Sequence, residues 1–303
     1  MQSFLKILFQ CKNLSLAFLL FFPAITFAQG QYTQVGHAKL YSEYYPNPKS
    51  PFKGTIIFQN GSGTDLTEWT QNKTFFNCAK KLGNIFVYDR SGLGKSPADL
   101  SMSIKHPMTT MLVNAKLLAL LEKRHIKPPY IVVAHSYGGM YAGYFARKYP
   151  DLVKGMLMID PVPNNYQWSH SFLNKYKADM KKMRQLSTDE VYTQYSYNKT
   201  NKNNTMPAQL FFQLMGFEKT KNQINKLPPL SNNIPVIILS STYMEGHAPI
   251  QGGWYKQQAC WLNKNPHSKI IQVKSGHFIQ LQHPELVCDQ LKKLVILNSD
   301  HVG

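Results

Sequence analysis

Residues 130–139 read Tyr130-Ile131-Val132-Val133-Ala134-His135-Ser136-Tyr137-Gly138-Gly139 and carry the strongest structural signal in the chain. The apolar, mostly β-branched run predicts a buried strand, and the residues after Gly139 are compatible with a helix. A serine on the turn between such elements can present its hydroxyl at the edge of a sheet, provided that its neighbours lack bulk. Ala134 and Gly138 lie two residues on either side, with alanine in place of the first glycine of the G-x-S-x-G pattern. Ser136 is therefore a candidate nucleophile.

Similar apolar runs recur along the 303 residues and alternate with helical patterns. Strands are predicted at 55–59, 84–89, 130–134, 155–159, 236–240 and 270–273, and helices at 108–123 and 284–297. Residues 38–45 alternate in polarity, as a half-exposed antiparallel strand would. Strands that alternate with helices predict an α/β fold with a mainly parallel, buried sheet and helices on both of its faces.

Residues 163–232 interrupt this alternation, because they are rich in Tyr, Phe, Met, Lys and Asn and contain helical stretches but no good strand. We interpret them as a helical insertion that covers the sheet as a cap. Its basic residues outnumber its acidic ones, and two or three of its aromatic residues are expected to contact a ligand. This composition favours an apolar or anionic acyl substrate.

The first 28 residues resemble a cleavable signal peptide. Lys6 and Lys12 precede an apolar run at 14–22, and Thr26-Phe27-Ala28 offers a cleavage site. The run is about nine residues long, whereas a membrane-spanning helix needs roughly 20. The sequence therefore predicts export, to the periplasm or the medium.

The chain is strongly basic, with 34 Lys and Arg against 16 Asp and Glu and a formal charge of +18. Residues 1–28 hold two of the lysines and no acid, so the remainder carries +16. The lysines are scattered and no known nucleic-acid-binding module is present, so we expect a solvated basic surface that binds no nucleic acid. Weak association with anionic surfaces is compatible with this charge.

Three cysteines follow the predicted signal peptide, at positions 78, 260 and 288. An exported protein can hold a disulfide, and Cys260 and Cys288 flank one predicted strand, so we expect them to form the pair. The sequence has no C-x-x-C motif and no histidine cluster with zinc-ligand spacing, and we predict neither a metal nor another cofactor.

A serine hydroxyl becomes a good nucleophile only when a base removes its proton. The loop Lys274-Ser275-Gly276-His277 follows the predicted strand at 270–273, which places His277 at a strand end, where parallel sheets present catalytic groups. His277 is therefore the candidate base. His135, beside the nucleophile, is expected to pack against the turn.

In the region from about 54 to 297 the chain resembles the α/β-hydrolases. The motifs at 59–63 (QNGSG), 88–96 (YDRSGLGKS), 134–138, 158–161 and 275–287 stand in the order of that family. The resemblance implies an eight-strand sheet within residues 29–303, with the cap inserted at about 163–232. It also implies a triad in the order serine, acid, histidine, with Ser136 as nucleophile and His277 as base. An oxyanion hole would use the amide of Tyr137 and that of Ser62 or Gly61.

The acid of the triad has two candidates. Many relatives place it a few residues after the strand that matches 236–240, where Glu245 is the carboxylate available. Some use the end of the preceding strand, where Asp160 stands directly before Pro161. Either carboxylate could orient the histidine and stabilise its cation. We favour Asp160, because it follows a well-defined strand.

A serine nucleophile predicts acyl transfer to water, on an ester, thioester, lactone or amide of a small molecule. Esters are favoured, because their leaving group demands least from the general acid. One alternative is a proline-type aminopeptidase of the same fold. That class usually binds the amino terminus of its substrate with acidic residues of the cap, and residues 163–232 contain few of them. The other is a non-catalytic hydrolase fold that binds anionic lipid or polymer, against which Ser136 and His277 argue.

Overall fold

The computed structural model describes residues 29–194 and 206–299. The predicted signal peptide, residues 1–28, lies outside the described residues. None of the helices within the two described ranges combines the length and the apolar character needed to cross a membrane.

The described residues form one eight-stranded sheet with the spatial order β1-β2-β4-β3-β5-β6-β7-β8. Its strands are β1 (Gln29–Val35), β2 (Ala38–Tyr45), β3 (Thr55–Gln59), β4 (Asn84–Tyr88), β5 (Tyr130–His135), β6 (Val153–Ile159), β7 (Val236–Ser241) and β8 (Lys269–Val273). β2 pairs antiparallel with β1 and β4, and every other pairing is parallel. This mixed, mostly parallel sheet confirms the predicted fold class.

Helices follow most of the strands. They are α1 (Thr67–Thr70), α2 (Lys73–Leu82), α3 (Thr110–Lys123), α4 (Gly138–Lys148), α5 (His170–Met183), α6 (Thr188–Gln194), α7 (Met206–Met215), α8 (Phe217–Asn225), α9 (Thr242–His247), α10 (Trp254–Gln258), α11 (Ile279–Gln282) and α12 (Pro284–Ser299). Short 3₁₀ turns occur at Pro150–Leu152 and Ala259–Trp261. Among the described residues between β6 and β7, helices α5 to α8 form the regular structure, apart from one isolated bridge between Trp168 and Ile250. The boundaries of the cap remain a prediction.

Alternate residues of the central strands pack on opposite faces of the sheet, because successive side chains of a strand point in opposite directions. Ile57 and Val132 belong to the core that contacts α3, α4 and α8. Ile56 and Val133 belong to the second core, under α2 and α12. Burial on both faces explains why these strands are continuous apolar runs rather than alternating ones.

The disulfide joins Cys78 on α2 to Cys288 on α12, with their Cα atoms 6.1 Å apart. The predicted pairing of Cys260 with Cys288 is wrong. Cys260 packs against the core under α3 and α4, whereas Cys78 and Cys288 pack against the core on the other face of the sheet. Cys260 is a free thiol, and its burial raises its pKa to about 11.

Candidate active site

Ser136 lies on a tight turn between β5 and α4, with a φ of 52° in the left-handed region. Its amide donates to the carbonyl of Ile159 at 3.0 Å, which fixes the turn to the end of β6. The turn also packs against the end of β3. A Cβ added at Gly138 would lie 2.4 Å from the carbonyl oxygen of Gln59 and 2.6 Å from that of Asn60. Only glycine fits this approach, which is the steric requirement behind the small residue at 138.

The structure brings His277 and Asp160 to Ser136. The Nε2 atom of His277 lies 2.8 Å from the Oγ of Ser136. Its Nδ1 atom lies 2.7 Å from Oδ2 of Asp160. Ser136 follows β5, Asp160 follows β6 and His277 follows β8, so three strand ends meet at one edge of the sheet. The hydrogen bonds form a continuous chain from hydroxyl to carboxylate.

Asp160 is fully buried and its backbone has a φ of 46°. Its Oδ1 accepts the amide of Ser241 at 2.9 Å and the indole N–H of Trp254 at 2.6 Å, and its Oδ2 accepts the Ser241 hydroxyl at 2.5 Å. Burial by itself raises the pKa of this carboxyl, but the hydrogen bond and charge of His277 and the bonds from Ser241 outweigh burial and lower the pKa. The structure therefore holds Asp160 as a carboxylate.

Glu245, the other candidate acid, is exposed on α9. Its Oε2 atom accepts a hydrogen bond from the amide of Tyr255 at 2.6 Å. Of the two carboxylates considered from the sequence, Asp160 is the one that contacts His277.

The loop after β3 holds the candidate oxyanion donors. The amide of Gly61 donates to Oε2 of Glu68 at 2.8 Å and so is already engaged. Ser62 is exposed, and its hydroxyl accepts a hydrogen bond from Gln213 at 2.5 Å. The guanidinium of Arg90 donates to the carbonyl of Asn60 at 2.8 Å and also to the carbonyl of Gly61. These two bonds hold the backbone of the loop in place. Because the amide of Gly61 is bonded to Glu68, the amide of Ser62 is the stronger candidate in this loop, and the amide of Tyr137 remains the other candidate donor.

A buried ion pair lies directly behind the site. Nδ1 of His135 contacts Oε1 of Glu68, and both side chains are 1% exposed. Nε2 of His135 donates to the carbonyl of His277 at 3.1 Å. Burial lowers the pKa of His135 and raises that of Glu68, but the mutual charge attraction and hydrogen bond outweigh burial, so the pKa of His135 is raised and that of Glu68 is lowered. His135 packs beside the turn, as expected, but as one half of an ion pair.

Sequence reasoning missed the residues that support the site from a distance in the chain. Glu68, Trp254 and Gln213 are separated from their partners His135, Asp160 and Ser62 by 67 to 151 residues. None of them stands in a recognisable motif, and no local signal could have found them. In the described ranges, no group of three or more His, Cys, Asp or Glu side chains is arranged to hold a metal ion.

Comparison with known proteins shows similarity along most of the chain. A family model described as the alpha/beta hydrolase fold matches residues 54–186. The uncharacterized protein YqjL of Bacillus subtilis is 26% identical over 234 residues, which cover 77% of this chain and 80% of YqjL.

Two solved structures illustrate the range of similar folds. A thermophilic esterase from Thermogutta terrifontis is 17% identical with a TM-score of 0.63, over 90% of this chain and 100% of the esterase. The proline iminopeptidase of Mycobacterium smegmatis is 13% identical with a TM-score of 0.57, over 91% of this chain and 100% of the peptidase. At these identities the likeness concerns the fold, and it does not distinguish an ester from a peptide substrate.

Proposed function

The chain belongs to the α/β-hydrolase fold superfamily, and from this premise we propose that it is a serine hydrolase that cleaves a carboxylic ester or a related acyl bond. The observation that carries the proposal is the continuous hydrogen-bonded chain from Ser136 through His277 to Asp160. A base that contacts the hydroxyl, and is itself oriented by a buried carboxylate, is the arrangement that activates a serine.

In the first half of the reaction, the Oγ of Ser136 attacks the carbonyl carbon of the substrate and transfers its proton to Nε2 of His277. The carbonyl oxygen becomes negative and is stabilised by the amides of Tyr137 and Ser62, each worth roughly 3 to 4 kcal/mol. Asp160 stabilises the imidazolium through Nδ1. The bond to the leaving group then breaks, and His277 returns the proton to the departing alcohol.

In the second half, water takes the place of the alcohol. His277 removes a proton from water, and the hydroxide attacks the acyl group on Ser136. The same amides bind the new oxyanion. The bond between the acyl carbon and Oγ of Ser136 then breaks, and His277 returns the proton to Ser136. The products are an acid and an alcohol, and the enzyme regains its starting state without a cofactor.

Labelling by a fluorophosphonate probe tests this proposal directly. The wild-type protein should be labelled at Ser136, and both Ser136→Ala and His277→Ala should abolish labelling. A folded wild-type protein that takes no label would refute a catalytic role and favour the non-catalytic alternative. Hydrolysis of a proline arylamide in preference to 4-nitrophenyl esters would favour the aminopeptidase.

We also propose that the protein is exported after removal of residues 1–28. The charged and apolar segments of that stretch and the Cys78–Cys288 disulfide support this, because disulfides persist mainly in oxidising compartments. Expression of the full chain in a Gram-negative host should give a periplasmic product whose intact mass corresponds to a start at Gln29. Retention of the full-length mass in the cytoplasmic fraction would contradict export.

A further inference from the structure

The carboxylate of Glu68 is the centre of a buried hydrogen-bond network beside the nucleophile turn. Its Oε2 atom accepts the amide N–H of Gly61 at 2.8 Å and the hydroxyl of Thr64 at 2.5 Å. Gly61 and Thr64 stand at the two ends of the turn that carries Ser62. One oxygen atom therefore closes this turn, and the place of the Ser62 amide depends on it.

The second oxygen of the carboxylate leads to the candidate base. Oε1 of Glu68 contacts Nδ1 of His135 and accepts the side-chain amide of Gln280 at 2.8 Å. Nε2 of His135 donates to the carbonyl of His277 at 3.1 Å, and the two imidazole rings lie 4.6 Å apart. Gln280 follows His277 by three residues and lies in α11. Glu68 is therefore connected twice to the segment that carries the candidate base.

Both ring nitrogens of His135 face acceptors. Nδ1 faces a carboxylate and Nε2 faces a carbonyl oxygen, whereas a neutral imidazole has a single N–H. Only the imidazolium donates to both at once. Burial lowers the pKa of His135, but the charge and hydrogen bond of Glu68, with smaller contributions from the carbonyl of His277 and the charge of Asp160, outweigh burial and raise it. Charge and hydrogen bonds therefore hold the pair together.

The pair packs directly against the nucleophile turn. A Cβ added at Gly61 would lie 2.8 Å from Nδ1 of His135 and 3.5 Å from Cβ of Ser136. The side chains of Glu68 and His135 are each 1% exposed, so water has little access to replace a lost partner. A shift of either side chain therefore displaces the backbone beside Ser136.

We propose that Glu68 and His135 are positioning residues of the hydrolase, which hold the Ser62 amide and the ring of His277 in place around Oγ of Ser136. The inference rests on the proposed function, since it concerns the geometry of the same site. At 1% exposure neither side chain is open to a substrate, so both act through the groups that they hold. A displacement of about 1 Å at a catalytic group can cost roughly 10²-fold in rate. Loss of the pair should therefore slow the chemical step and leave substrate binding nearly unchanged.

Glu68→Met tests this proposal, because it keeps an unbranched side chain of similar length and removes every acceptor. With 4-nitrophenyl butyrate as substrate, kcat should fall by about 10²-fold and KM should change by less than about twofold. The affinity for a trifluoromethyl ketone, which adds to the serine and forms an oxyanion, should fall by the same factor as kcat/KM. Glu68→Gln keeps one acceptor oxygen, and it should recover part of kcat.

Asp99→Leu is the matched control, because it breaks a second buried ion pair. Asp99 pairs with Lys116 on α3, and its side chain is 1% exposed. Neither residue belongs to the loops that carry Ser62, Ser136 or His277. Asp99→Leu should lower the midpoint of urea denaturation, as Glu68→Met does, but it should keep kcat within about twofold of the wild-type value.

Thr64→Val keeps the proposal testable if Glu68→Met does not fold. It removes one of the two donors to Oε2 of Glu68 and leaves the ion pair in place, and it should lower kcat several-fold at unchanged KM.

Three results would overturn the proposal and leave the serine hydrolase standing: a loss of kcat in Glu68→Met no larger than in Asp99→Leu, a loss that appears in KM alone, or a wild-type kcat in Thr64→Val. A wild-type protein that hydrolyses no ester and takes no fluorophosphonate label would overturn the proposed function, and this inference with it.

Discussion

Asp160 accepts hydrogen bonds from Ser241, Trp254 and Gln258 in addition to its contact with His277. These donors keep the carboxylate ionised and aimed at one ring nitrogen. Asp160→Asn should lower kcat by roughly 10⁴-fold with little change in fold, because an amide at that position favours the wrong tautomer of the histidine. Steady-state kinetics on a 4-nitrophenyl ester measures this.

Glu245→Gln is the matched control, since it neutralises the other candidate acid on the exposed helix α9. We expect a change in kcat of less than about twofold. Equal and mild effects of the two substitutions would show that neither carboxylate serves His277.

Gly138 allows the nucleophile turn to approach the end of β3. A Cβ there would lie within 2.6 Å of two backbone carbonyl oxygens, so Gly138→Ala must displace the loop that carries Ser62. A displacement of about 1 Å at a catalytic group can cost roughly 10²-fold in rate, and we expect a loss of kcat/KM of that order. In Gly246→Ala the new methyl group meets no atom within 4 Å, and activity should be retained. Equal activity of the two variants would contradict the close approach.

At the scale of elements, the ion pair of Glu68 and His135 connects two loops of the candidate site. Glu68, on α1, holds the loop after β3 through the amide of Gly61, and His135, at the end of β5, holds the loop after β8 through the carbonyl of His277. The loop with the candidate oxyanion donors and the loop with the candidate base, His277, are thus joined by one buried contact. Its strength depends on the charge of both partners.

Glu68→Gln should lower the free energy of unfolding by about 3 kcal/mol near pH 6, because it leaves a buried imidazolium without its partner. The folded pKa of Glu68 lies below its ordinary 4.5, so its contribution is complete above pH 4.5 and is lost as pH falls through the folded pKa. The folded pKa of His135 lies above its ordinary 6.5, so its contribution is complete below pH 6.5 and is lost as pH rises through the folded pKa.

Urea denaturation of the wild-type protein and of Glu68→Gln, repeated at pH values below, between and above these two limits, measures the effect. The difference between their free energies of unfolding should be largest between about pH 4.5 and 6.5. Glu285→Gln, on the exposed side of α12, should change stability by less than about 0.5 kcal/mol at every pH. A small difference that is independent of pH would mean that the pair is not ionised.

At the scale of the whole molecule, the disulfide links two helices that are 210 residues apart in the sequence. Closing so long a loop restricts the unfolded chain, and its loss should cost about 2 to 5 kcal/mol. Cys78→Ser with Cys288→Ser should therefore lower the midpoint of urea denaturation, whereas Cys260→Ser should leave it nearly unchanged. Titration of thiols in the denatured protein that begins at Gln29 should find a single free one. Three free thiols would contradict the bridge.

The sequence predicted most of the central sheet closely. The strand at 55–59 coincides with β3, and those at 84–89 and 236–240 differ from β4 and β7 by one residue at one end. Burial on both faces makes these strands strongly apolar, so the signal is local and clear. Strand β1 was missed because it is a largely exposed, polar edge strand whose place depends on pairing with β2.

The sequence by itself determined the central strands and their alternation with helices, the turn that presents Ser136 and the choice of His277 as candidate base, because each depends on residues adjacent in the chain. Only the tertiary structure decided which carboxylate meets His277, which amide after β3 is already engaged, and which cysteines pair. Those outcomes depend on where distant segments lie in space. Asp160 and His277 are 117 residues apart and meet only because parallel strands end at the same edge of the sheet. Cys260 and Cys288 are near in sequence but pack on opposite faces of that sheet.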